Sequence, residues 1–206
     1  MQVEAKALHK DFGHQRVISG IDLTISSGDR WAIVGGNGSG KTTLLRLLSG
    51  LIRPSQGTVI WTAKSHSIPR ETWTHRMNFA GPYVELIEEL SLAELLQLHR
   101  GLRPFVHQMT PGEVEEISGL RVPANKPIRF FSSGMKQRLR LTLALLTQSD
   151  IVFLDEPTSN LDAAAIEWMQ LLVEKYLEDR TLVVGSNHIA AELALCTQQL
   201  ELVTVR

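Results

Sequence analysis

The sequence predicts an α/β fold with a mainly parallel sheet, an antiparallel β part near the N-terminus and an inserted helical subdomain. Three observations predict it. Short uninterrupted apolar runs at 31–34, 151–154 and 182–184 have the character of strands buried on both faces of a parallel sheet. Helical patterns separate these runs, so strand and helix alternate along the chain. Residues 3–8 and 17–25 instead alternate apolar and polar side chains, as strands with one wet face do.

The elements follow in order. Residues 3–8 and 17–25 form the first strands, the second ending in a polar turn at 26–29. The apolar run 31–34 stops at Gly35, and a glycine-rich stretch extends to Gly40. Leu44, Leu45, Leu47 and Leu48 make 42–49 a helix, closed by Gly50. A turn through Pro54 and Gly57 leads to a strand at 58–61. From Leu86 to Leu102 leucines recur at helical spacing among glutamates, and Pro104, Pro111, Pro123 and Pro127 then divide the chain into short pieces. Residues 81–133 are therefore expected to be a helical subdomain inserted between core segments 1–80 and 134–206 of a single domain. A helix from Gly134 to about Gln148, a strand at 150–155, a helix at 163–177, a strand at 182–184 and a closing strand at 200–205 complete the order. The 206 residues suffice for one sizeable core.

Composition narrows the function. With 21 Lys+Arg against 22 Asp+Glu the net charge is −1, which lacks the broad basic surface that phosphate backbones attract, so no nucleic-acid partner is expected. Cys196 stands alone, which excludes an internal disulfide and a thiolate metal cage and fits a reducing compartment. No run approaches the roughly 20 apolar residues that span a bilayer. The first residues alternate and carry charge, unlike a signal peptide. The expectation is a soluble, intracellular chain that reaches a membrane only through a separate partner.

Residues 35–42 fit G-x-x-x-x-G-K-[ST]. Glycines let successive backbone N–H groups turn inward around phosphate oxygens, and the loop then opens a helix whose free N–H groups and dipole favour an anion. The nucleotide-binding set is Gly35, Asn37, Gly38, Ser39, Gly40, Lys41, Thr42 and Thr43. Lys41 is expected to reach the β- and γ-phosphates and Thr42 to coordinate Mg²⁺. A plain glycine turn beside a chance lysine is the alternative, and the strand before and helix after weigh against it.

Asp155 and Glu156 end the apolar run at 151–154. Adjacent carboxylates there are costly unless something positive faces them, and the carboxyl edge of an open α/β sheet is where ligands sit. Asp155 is expected to hold Mg²⁺ and Glu156 to polarise the water that attacks the γ-phosphate. An ordinary acidic cap is the plainer reading, outweighed by the phosphate loop. A GTPase would carry a base-reading N-K-x-D segment, whereas Asn125 and Lys126 are followed by Pro127 and Ile128.

Along essentially its whole length the chain resembles the ATP-binding subunit of ABC transporters. Residues 35–42 resemble that family's Walker A and residues 151–156 its Walker B with the catalytic acid. Phe131, Ser132, Ser133, Gly134 and Met135, followed by Gln137 and Arg138, resemble the signature segment. Residues 159–162 are similar to the D-loop and His188 to the switch histidine, while Phe12 is placed like the aromatic residue that stacks on adenine. The resemblance implies a P-loop NTPase core that uses ATP and Mg²⁺, with Glu156 and His188 catalytic and Thr42 and Asp155 at the metal. It implies a second cassette facing the first head to tail, each signature capping the γ-phosphate held by the other through Ser132, Gly134 and a helix N-terminus. It also implies an integral membrane permease docked on the helical subdomain, and hence a cytoplasmic chain peripheral on the inner face of the membrane.

Some positions depart from that pattern. Pro82 falls where the family has a Mg²⁺-binding Gln, with Glu85 a candidate substitute. Ser133 and Met135 replace the usual Gly and Gln, and Asn187 stands where Thr usually precedes the histidine. Lys136, Arg138 and Arg140 read as a solvated helix face. Hydrolysis coupled to transport is the expected function, and the short chain resembles small single-cassette export components. A soluble cassette ATPase acting in complex assembly and a weakly hydrolysing regulatory subunit are the alternatives.

Overall fold

A computed structural model describes residues 1–82 and 84–204. In chain order its elements are β1 (Gln2–Phe12), β2 (Gln15–Ile25), β3 (Arg30–Val34), α1 (Lys41–Leu48), β4 (Gln56–Ala63), β5 (His66–Ser67), β6 (Met77–Ala80), α2 (Leu92–Leu102), α3 (Pro111–Ser118), α4 (Ser133–Leu146), β7 (Ile151–Asp155), α5 (Ala163–Tyr176), β8 (Thr181–Ser186), α6 (Ala190–Leu193) and β9 (Gln198–Glu201). The chain divides into two compact units, one of residues 1–79, 149–156 and 179–206, the other of residues 80–148 and 157–178.

The first unit holds two sheets. One is antiparallel with strand order β2-β1-β4-β5; the other has the order β6-β7-β8-β3-β9 and runs parallel from β7 to β9. This is the fold class the alternation of strands and helices predicts. β1 continues four residues past the expected end at Leu8, because the polar run His9, Lys10 and Asp11 hides the alternation while the backbone keeps pairing with β2 and β4. The closing strand begins earlier than expected, at Gln198, and pairs with β3; Val205 lies outside the described residues.

Helix α1 shares one core with both sheets. Leu44, Leu45, Leu47 and Leu48 are buried with Ile33, Trp61, Phe153 and Val183. Burial of each leucine contributes about 1.5–3 kcal/mol. The helix is fastened at its C-terminal end. The Trp61 indole N–H donates to Leu48 O at 2.9 Å, Trp61 stacks on Trp73 at 4.7 Å, and Arg70 donates to the carbonyls of Gly50 and Ile52 at 2.7 Å each. Its N-terminal end carries no side-chain cap: Gly40 takes φ 98° there, and the first helical N–H groups stay available.

The second unit is helical. Its helix α2 starts at Leu92 rather than at Leu86, because Ser91 and Glu94 form a reciprocal capping box that stops the helix from extending backward. The preceding residues turn instead, Leu90 N–H donating to Ile87 O at 3.3 Å, and are held by Ile128 N–H to Leu90 O and Arg129 N–H to Glu88 O at 2.9 Å each. A second capping box, Thr110 with Glu113, starts α3. The basic run on α4 is not a solvated face. Lys136 pairs with Glu88 at 2.6 Å, Arg140 donates to Val84 O at 2.7 Å, and Arg138 donates to Ser118 O with its guanidinium 4.1 Å from the Trp168 ring centre. Sequence spacing identified the helix but not the carbonyls and carboxylate that its cations would meet. His99 stacks on Phe105 at 5.4 Å and lies 2.7 Å from Thr147 Oγ1, and burial pulls its pKa down to about 4, with Arg103 adding to the shift. Among the described residues no helix is long and apolar enough to cross a membrane.

Candidate nucleotide site

Strand register assembles the site. β8 lies between β3 and β7, with Val34 opposite Ser186 and Asp155 opposite Gly185. The loops that leave the carboxyl ends of these three parallel strands therefore emerge side by side, where α/β sheets bind ligands. The first carries the glycine-rich loop, the second Glu156, the third Asn187 and His188.

The loop after β3 has the shape a phosphate cradle requires. Gly38 has φ 78° and Gly40 φ 98°, both left-handed conformations that disfavour a side chain. A Cβ at Gly35 would meet Ser39 Oγ at 2.5 Å and Leu202 O at 2.7 Å. Asn37 and Gly38 are exposed at the tip, Ser39 is buried, and Thr42 and Thr43 are half-buried in the first turn of α1.

Lys41 is 4% exposed. Its ammonium donates to Gly35 O and Gly36 O at 3.0 Å each and to Asn187 Oδ1 at 2.6 Å, and it lies 3.9 Å from Glu156 Oε1. The Asn187 amide nitrogen donates to that same Glu156 oxygen at 2.8 Å. Glu156 and His188 both hold left-handed backbone, at φ 48° and 60°. Such strain in non-glycine residues collects at functional sites. The Glu156 N–H donates to Gly185 O at 2.9 Å, which fixes its turn against β8. His188 is exposed.

Asp155 is 1% exposed. Its Oδ2 accepts the Thr42 hydroxyl at 2.6 Å, whereas its Oδ1 is buried with no hydrogen-bond partner among the described residues. Burial, the largest cause, and then the neighbouring Glu156 push its pKa up, against the Thr42 hydrogen bond and the charge of Lys41. A Cβ at Gly185 would stand 2.8 Å from Oδ1, so glycine leaves that buried oxygen room that a side chain would take. An unpartnered carboxylate oxygen beside a threonine hydroxyl is a hard oxygen donor set, and it fits Mg²⁺.

Phe12 ends β1, 52% exposed, with Lys10 Nζ 4.9 Å from its ring centre. In the second unit Ser132 caps α4 by accepting the Met135 N–H at 3.2 Å, and Ser132, Gly134, Asn160 and Asp162 line a cavity of about 480 Å³. Gly134 has a reason to be glycine within its own unit: a Cβ there would meet Asn160 O at 2.7 Å. Gln137 Nε2 donates to Pro157 O at 3.0 Å and ties α4 to the same loop. Asp162 caps α5 through the Ala165 N–H at 2.8 Å. Asn187 is the residue that sequence reasoning did not include in the site. Its chain position only marked a departure from threonine, and no local pattern announces a partner 146 residues away.

Comparison with known proteins gives the family and the fold. A family model described as "ABC transporter" matches residues 18–159. The chain belongs to the ABC transporter family. Among curated relatives of this ABC cassette, the daunorubicin resistance ATP-binding protein DrrA3 of Streptomyces coeruleorubidus is 32% identical over 89% of the chain, which spans 65% of that relative's length. The cytochrome c biogenesis ATP-binding export protein CcmA of Methylococcus capsulatus is 33% identical over 88% of both chains. A solved dimeric structure of the ATP-binding cassette MJ0796, in a post-hydrolysis state with ADP and Pi, superposes with a TM-score of 0.81 at 24% identity over 97% of this chain and 94% of that one. The fold is therefore that of an ABC ATPase cassette.

Proposed function

We propose that this cassette binds ATP with Mg²⁺ and hydrolyses it, as the ATP-binding subunit of a transporter whose permease is a separate chain. The observation that carries the reading is the buried Lys41 ammonium, held between the phosphate-loop carbonyls and within 3.9 Å of Glu156 at the carboxyl ends of three parallel strands. A buried cation beside an uncapped helix N-terminus is a site for a polyanion. In this reading the loop N–H groups and Lys41 grip the triphosphate, and Thr42 and Asp155 hold Mg²⁺, which neutralises developing phosphoryl charge when bound. Glu156 accepts a proton from the attacking water and His188 orients the γ-phosphate or that water. Phe12 offers its exposed face to adenine.

A second cassette completes the site in this reading, presenting Ser132 and the α4 N-terminus to the γ-phosphate. ATP then favours the closed pair because it binds that state better, and hydrolysis removes the contact. The dimeric cassette structure and the relatives named as drug-resistance and export proteins support this reading. It places the chain on the cytoplasmic face of a membrane, peripheral through its permease.

Phosphate release from Mg²⁺-ATP by purified protein, abolished in Lys41→Ala, tests the chemistry. Recovery of the chain with an integral protein from detergent-solubilised membranes tests the partner. Pro82 in place of the usual Gln, with Ser133 and Met135 in the signature, favours a second reading, a regulatory subunit that binds nucleotide. ATP binding without phosphate release would support it.

A further inference from the structure

The Asn187 side chain joins the two functional groups that nucleotide must reach. Its Oδ1 accepts from Lys41 Nζ at 2.6 Å and its Nδ2 donates to Glu156 Oε1 at 2.8 Å. The amide can be oriented only this way, because an ammonium has no acceptor and a carboxylate no donor. An ammonium has three protons, and all three of Lys41's are engaged, by Gly35 O, Gly36 O and Asn187 Oδ1. A phosphate oxygen therefore binds Lys41 only by displacing one of these acceptors. The two carbonyls belong to a loop held by its own backbone bond from Ser39 N–H to Gly36 O. Asn187 is half-buried and swings on two side-chain torsions, so its oxygen is the acceptor that yields.

We propose that Asn187 is a positioning residue that latches Lys41 to Glu156 until the triphosphate arrives. The inference rests on the ATP site proposed above. When a phosphate oxygen takes over the third Lys41 proton, the amide N–H stays on Glu156 and holds the carboxylate towards the attacking water. One side chain thus opposes binding and assists turnover. A residue that merely stitched the β7 and β8 loops together would assist both.

That difference is measurable with wild type, Asn187→Ala and Asn187→Asp. Affinity is read with a non-hydrolysable ATP analogue and Mg²⁺, turnover as single-turnover phosphate release from ATP, and folding as the melting temperature. Asn187→Ala is expected to bind the analogue about three- to tenfold more tightly, the range expected when a competing hydrogen bond of ordinary net strength is removed, and to release phosphate at least about tenfold more slowly. Asn187→Asp keeps an acceptor on Lys41 and turns a second carboxylate towards Glu156 and the incoming phosphate. It is expected to bind at least about threefold more weakly. Asn187→Ala that binds no more tightly than wild type overturns the latch, as does Asn187→Asp that binds as well as wild type if the alanine variant does not fold. Wild type that binds no nucleotide overturns the ATP-site reading and the latch with it. Wild type that binds while the variants fail their predicted shifts overturns the latch alone.

Discussion

The Thr42 hydroxyl donates to Asp155 Oδ2 at 2.6 Å, and the other oxygen of that carboxylate lies buried with no hydrogen-bond partner among the described residues. One end of the group is satisfied and the other is reserved. Without a cation, desolvation makes the ionised form costly, which is why its pKa is raised.

Asp155→Asn is therefore expected to stabilise the nucleotide-free protein while abolishing Mg²⁺-dependent hydrolysis. The sign follows from linkage: a carboxylate whose folded pKa is raised loses stability as pH climbs past its unfolded value, and the neutral amide has no charge to lose. The gain at pH 7 is read as a higher melting temperature. An unchanged or lower melting temperature would mean that the buried charge carries no penalty.

Glu156→Gln removes the proposed base but keeps an acceptor for the Asn187 amide. Turnover is expected to fall by at least about a hundredfold, the scale of a lost general base, with ATP retained and a dimer accumulating on gel filtration. Turnover within twofold of wild type would remove Glu156 from the mechanism.

Gly134→Ala places a Cβ 2.7 Å from Asn160 O, a backbone atom. Destabilisation of about 1–3 kcal/mol is expected even without nucleotide, measured by urea unfolding, because the overlap lies within the second unit. If Gly134 served only the phosphate, the nucleotide-free stability would not change.

His99 has its pKa lowered to about 4 from 6.5, by burial first and by Arg103 second. Well above pH 6.5 it is neutral folded and unfolded, so stability does not depend on it. Between about 6.5 and 4 the unfolded chain takes up a proton that the folded chain resists, so stability is lost as pH falls. Because the ring is only part-buried, the loss is on the order of 1–2 kcal/mol after screening. Unfolding midpoints at pH 7.5 and 5 should diverge in wild type and converge in His99→Gln; an equally steep dependence in the variant would assign the acid limb elsewhere.

Much of the site was legible because its parts are short. A glycine loop, a lysine and a helix start occupy consecutive residues, and their conformations follow from the φ values open to glycine and from the N–H groups a helix leaves free. Asp155 and Glu156 were legible from an apolar run that ends in two acids. The basic residues of α4 were misread as solvated, because periodicity says which side of a helix a residue occupies and nothing of the Ser118 and Val84 carbonyls waiting there. Helix α2 starts later than leucine spacing suggests, because the Ser91–Glu94 capping box stops it there, although that cap is itself written in neighbouring residues.

Chain order and residue type were enough to place a phosphate loop, an acid pair and the alternation of an α/β fold, since each depends on torsions and hydrogen bonds among neighbours. Only folding decided that Lys41, Glu156 and Asn187 converge. Their meeting follows from parallel pairing of β3, β8 and β7 in one register, Val34 against Ser186 and Gly185 against Asp155. That register minimises the free energy of a whole sheet and core, and no single stretch of the chain encodes it.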